Sequence, residues 1–253
     1  MTLPCTRSPA AVMLMLALLM LALPLAAPAA AQDMPTVLPN NYVLSDILNR
    51  QRVDTVIGSA TGGAAGPPQR QVPSPPPAAA TTYRAAPEVS ARVRRQFADW
   101  MGRQAGAEGG RRIAEAMVQR DPVRNWAQIV GGDGLRPGDL ADTMASYWIL
   151  NWVMANTADS NRAQAQAVRN QVRPIIVSNP DYARLGEAQR QEMSEVLMLN
   201  FLVQHAAYVD AVTRGDRATI RRLGDAAVAR FRNEMGVDLR RLELTNAGFV
   251  RAD

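Results

Sequence analysis

The stretch from Asp139 to Asn156 constrains this chain more than any other. Asp139 is a helix-capping residue, and the residues after it, above all Tyr147-Trp148-Ile149-Leu150, place apolar side chains nearly all round a helix. Such a helix has too little polar surface to lie on the outside, so it must be enclosed by others. It is therefore expected to be the buried centre of an all-α, multi-helix bundle of about six to seven helices.

The flanking sequence supplies the surrounding helices. Val89, Val93, Phe97 and Trp100 recur at helical spacing behind Pro87, and Ile113 with Met117 makes a second, shorter stripe. Asp121-Pro122 pairs a cap with a first-turn proline and starts a helix bearing Val123, Trp126, Ile129 and Val130, with Gly131 as its expected end. A helix from about Asp159 to Val177 carries Ala163, Ala167, Val168, Val172 and Ile176, and Pro174 is expected to kink or shorten it. The next, within Gly186 to Arg214, presents Met193, Val196, Leu197, Phe201 and Val209. Asp216 caps the last, which carries Ile220, Leu223, Ala227 and Phe231 and stops at Gly236. Leu242-Glu243-Leu244-Thr245 alternates like one short strand, and with no second strand in view a sheet is not expected.

Ahead of this bundle, residues 1–31 have the layout of a cleavable signal peptide. Arg7 is followed by an apolar run from Ala10 to Leu25 with Pro24 at its end, then Pro28 and the small residues Ala29-Ala30-Ala31, with cleavage expected before Gln32. Residues 32–58 form a short segment in which Ser45 caps one or two turns bearing Ile47, Leu48 and Val53, a possible docking helix. Residues 59–87 are rich in Pro, Ala and Gly without apolar periodicity and are expected to be a disordered, partly polyproline-II linker. The helical domain then occupies 88–253. The protein is expected to be exported, periplasmic or extracellular, with no transmembrane segment in the mature chain.

Composition removes several chemistries. Cys5 precedes the apolar run, so the mature chain has no cysteine, which excludes disulfides, thiolate metal sites and cysteine nucleophiles. His205 is the only histidine, and zinc would need three carboxylates beside it. The net charge is +5 and every basic residue is arginine, scattered among acids rather than clustered. No nucleic-acid partner, cofactor, metal or catalytic residue is expected.

Among individual residues, His205 sits with Phe201, Tyr208 and Val209 on what reads as a packing face. The loop Gly131-Gly132-Asp133-Gly134-Leu135-Arg136-Pro137-Gly138 lacks the lysine of a phosphate cradle and puts Arg136 where a calcium turn needs aspartate, so it reads as a helix–helix connection. Glu192 and Glu195 are neighbours on a helix, as two carboxylates for cutting a glycosidic bond would be. They share a face with Ala188 and Gln191, read as solvated. Tyr147, Trp148, Asn151 and Trp152 are the candidate ligand-binding residues, since amphipathic aromatics beside an amide suit a small-ligand or sugar pocket. Core packing explains the same cluster.

Ala145-Ser146-Tyr147-Trp148-Ile149-Leu150-Asn151-Trp152, together with the ending Gly236-Val237-Asp238-Leu239 and Leu244-Thr245-Asn246-Ala247-Gly248-Phe249, resembles a family of exported proteobacterial proteins classed only as a domain of unknown function. The resemblance implies export and a helical domain from about Tyr83 onward, and brings no activity with it. The expectation is a non-enzymatic binding or interaction protein of the cell envelope whose partner, a protein or a ligand, is unknown. The competing expectations are a carboxylate-dependent hydrolase of envelope polymer and a small-ligand binder using the Tyr147–Trp152 cluster.

Overall fold

The computed structural model describes residues 80–252. The expected signal peptide, the 32–58 segment and the linker as far as residue 79 lie outside the described residues. Within them are six α-helices, α1 (Pro87–Gln119), α2 (Pro122–Val130), α3 (Leu140–Asn156), α4 (Arg162–Val177), α5 (Glu187–Thr213) and α6 (Arg217–Met235), and two strands, β1 (Leu242–Thr245) and β2 (Gly248–Arg251).

Side-chain caps set most of the helix starts. Asp121 accepts from the backbone N–H of Arg124, Asp139 from Ala141 and Asp216 from Thr219. Asn161 and Gln164 form a reciprocal capping box, which moves the start of α4 beyond the expected Asp159. Gly236 ends α6 in the left-handed conformation at φ 68°, as its position predicts. Gly131 does not close α2 in that way. A 3-10 turn, Gly131–Asp133, intervenes, and Gly134 at φ 76° is the left-handed residue. Pro174 stays inside α4, which runs three residues further to Val177.

The centre is α3, packed on α4, α5 and α6, with every residue from Leu140 to Trp152 buried. Its contact with α6 is backbone-close: a Cβ on Gly224 would stand 2.6 Å from the carbonyl oxygen of Met154. The two apolar stripes expected in α1 are two helical halves separated at Gly106, where φ is 82° and ψ 161°. The second half folds back on the first so tightly that a Cβ on Gly110 would meet the Ala98 carbonyl oxygen and the Gly102 Cα at 2.8 Å.

Three expectations need correction. The expectation of a linker reaching Pro87 does not hold for residues 80–86: Thr81 and Tyr83 are buried, and the strap 80–86 is hydrogen-bonded along residues 138–140, through Tyr83 N to Gly138 O and Leu140 N to Thr81 O. Backbone pairing replaces the apolar periodicity that a composition reading looks for. A sheet does form, since β1 pairs antiparallel with β2 from Leu242↔Arg251 to Thr245↔Gly248. Its outer edges are covered by side chains, with Trp152 Nε1 donating to Leu242 O, Gln164 Nε2 to Leu244 O, and Gln171 bonding both the N–H and the carbonyl of Phe249. Some apolar assignments also shift: Ala163 and Val209 are exposed, while Ala165 and Ile175 complete the buried face of α4.

Candidate functional site

The four candidate ligand-binding residues all lie on α3 and are all buried. They divide into two sets. Tyr147 stacks on Phe231 of α6 at 6.2 Å, and Trp148 meets the same ring edge-on at 6.0 Å. Trp152 packs on Phe249 and sends its Nε1 to the Leu242 carbonyl at 2.9 Å, which holds the hairpin to α3. Asn151 donates to the Tyr147 carbonyl at 2.8 Å, and its Oδ1 accepts from Arg230 at 2.6 Å. The same Arg230 nitrogen reaches Gln204 Oε1 at 3.4 Å, and Gln204 Nε2 reaches the Tyr147 hydroxyl at 3.4 Å. The polar partner of this cluster is therefore a guanidinium from α6 and an amide from α5. Asn151 serves that guanidinium rather than the indoles.

Glu192 and Glu195 of α5 are not a solvated pair. Glu195 and Gln191 are buried between α5 and α1, against expectation. Ser90 Oγ donates to Glu195 Oε1 at 2.6 Å, and Gln191 Nε2 donates to the same oxygen at 2.8 Å. Gln191 also bonds both backbone groups of Ala86. Glu192 points elsewhere, to Arg92 at 3.0 Å. Next to this seam Thr143 and Ser194 share a hydrogen bond of 2.7 Å, and Tyr83 lies close enough to Ser194 and Glu195 to feel both. Burial pushes the Tyr83 hydroxyl up to about 12, so it stays a neutral phenol. A signal for this burial existed. The helix is long and apolar enough to cross a membrane by length and composition, yet half of that apolar window is buried inside the bundle. A helix covered on several sides takes its polar residues inward with it.

A third polar cluster joins α3 to α4. Asp139 pairs with Arg173 at 2.6 Å, and the buried Asp142 accepts from the Arg136 N–H at 3.0 Å and faces Arg169 Nε at 3.5 Å. Burial raises the Asp142 pKa, and the Arg136 N–H and the two arginines pull only partly against it. The glycine-rich loop is fastened to α4 by Gln166 Nε2, which donates to the Asp133 carbonyl at 2.7 Å, so it is the helix–helix connection expected. His205 stacks on Phe201 with centroids 5.5 Å apart, and burial lowers its pKa, which keeps the imidazole neutral.

Arg230, Gln191 and Asp142 thus carry the buried polar architecture without standing out in the sequence. Each is an ordinary polar residue on a helix; Arg230 and Gln191 are brought inside by partners distant along the chain, and Asp142 by the Arg136 N–H six residues before it and by Arg169 of α4. Neither a curated protein nor a solved structure matches this chain. A family model described as a family of unknown function does match, over residues 10–251, and the chain belongs to that family, DUF6683.

Proposed function

We propose that this is an exported helical domain that acts by binding another component of the cell envelope, with no chemistry of its own. One observation carries the reading: the residues best suited to catalysis or ligand contact are already engaged by other side chains of the bundle. Glu195 is held by Ser90 and Gln191, Glu192 by Arg92, His205 lies against Phe201, and the Tyr147–Trp152 cluster packs in the core. Export rests on the order of charge, apolar run and small residues in 1–31. The test is expression of the full chain with its own N-terminus, followed by affinity capture from the envelope with and without residues 32–58. The expected result is a mature protein beginning at or near Gln32 that retains one saturable envelope component. Release of soluble fragments from purified envelope polymer, lost in Glu195→Gln, would replace this reading with the hydrolase.

A further inference from the structure

We propose that α1 is a hinged flap, which lifts from α5 as a unit while the rest of the bundle stays folded. The first ground is how the apolar residues are distributed. One large cluster runs from Trp126 to Phe249 and draws on α2 to α6 and the hairpin. A second, smaller one consists of Val89, Val93, Phe97, Trp100, Met101 and Met117 of α1, with only Val196 and Leu199 of α5 added. Half-buried Val203 alone borders both. The apolar face of α1 therefore rests on a single helix, whereas α3 is enclosed by three. Resistance to opening follows the apolar surface that opening exposes, and units that open separately follow such boundaries.

The second ground is that both ends of α1 are moored to the main body. Upstream, the strap is fixed at Gly138 and Leu140, and Tyr182 donates its hydroxyl to the Ala80 carbonyl at 2.9 Å. Downstream, Trp126 of α2 is fully buried and bonded to Ser146 at 3.0 Å. Between these moorings the two halves of α1 are closed on each other by the Gly102–Gly110 contact, and the ion pair of Arg94 with Asp121 ties the first half to the downstream mooring. The flap leaves α5 as one piece, and once away from α5 its two short helices lose the packing that keeps them formed, so their amides exchange together.

The third ground is that the polar contacts with α5 are gathered at one end. They are the Gln191 bonds to Ala86 and Ser90, the Ser90–Glu195 bond and the Arg92–Glu192 pair, all within the first two turns. Beyond them α1 meets α5 through apolar side chains. Lifting bares Val196, Leu199 and Val203 opposite Phe97 and Trp100, two apolar walls that face water only in the open state. This adds to the binding reading a way of keeping an apolar surface covered.

Hydrogen exchange by mass spectrometry on the full chain, across a series of low denaturant concentrations, tests the proposal. The interior amides of α1 should share one opening, with less protection and a smaller denaturant dependence than those of α3. Gln191→Ala, which removes the Ala86 and Ser90 latch bonds, should speed exchange in α1 by about tenfold or more while α3 is unchanged. Equal protection and equal denaturant dependence of α1 and α3 in the unaltered protein would overturn the flap, as would a variant that speeds both alike. The unaltered protein decides between these outcomes even if Gln191→Ala fails to fold.

Discussion

Trp148 is 3% exposed and lies edge-on to Phe231, and from that packing its energetic role follows. Trp148→Ala is expected to cost about 3–5 kcal/mol in denaturant unfolding, as truncation of a buried aromatic does. An unchanged melting curve would remove the residue from the core and reopen its role as a ligand contact. Asp142 is the opposite case, a buried group whose charge is a liability. Its raised pKa means that the folded state favours the protonated form more than the unfolded state does, so stability is gained as pH falls through the folded pKa. Asp142→Asn keeps an oxygen to accept the Arg136 N–H and has no charge to bury. At pH 7 it should melt at or above the temperature of the unaltered protein, and the gap should close toward pH 4. A variant clearly less stable at pH 7 would show that the Arg169 and Arg173 attraction outweighs burial.

At the scale of elements, close helix contact is governed by glycine at two places. Gly224 lets α6 approach α3 until a methyl group would overlap the Met154 carbonyl, and Gly110 does the same within α1. In an open helix Gly→Ala stabilises by about 1 kcal/mol. Gly224→Ala should instead destabilise, by roughly 1–3 kcal/mol, because the helices must separate. The sign of the change in thermal unfolding therefore tests the packing. The hairpin is held from outside: the side chains of Trp152, Gln164 and Gln171 bond its strand edges, which explains how two four-residue strands persist without a larger sheet.

For the whole molecule, the folded body begins earlier than its composition suggests. Arg84 has an exposed side chain, yet the backbone on either side is held, at Tyr83 by Gly138 and at Ala86 by Gln191. Arg70 lies in the Pro- and Ala-rich stretch whose composition predicts ready cleavage. Brief treatment with trypsin should cut after Arg70 well before Arg84 and leave a helical resistant fragment, as mass spectrometry and circular dichroism would record. Equal cutting at both sites would mean that the strap is not part of the folded body.

By itself the sequence determined the helices, most of their caps and the central place of α3. Those depend on local backbone chemistry and on a periodicity visible in one segment at a time. Asp121, Asp139 and Asp216 start helices, Gly236 ends one, and the apolar circumference of Leu140 to Trp152 requires burial whatever surrounds it. Only the tertiary structure decided which polar residues went inside. Gln191 and Glu195 read as solvated because a helix shows its own two faces and not the neighbour that covers one of them, here α1 from a hundred residues upstream. Arg230 meets Asn151 across a gap of 79 residues, and the strap takes its partners from 138–140 and from Gln191. Such pairings depend on long-range contacts, and a polar side chain carries no local pattern that says whether its partner will be water or protein.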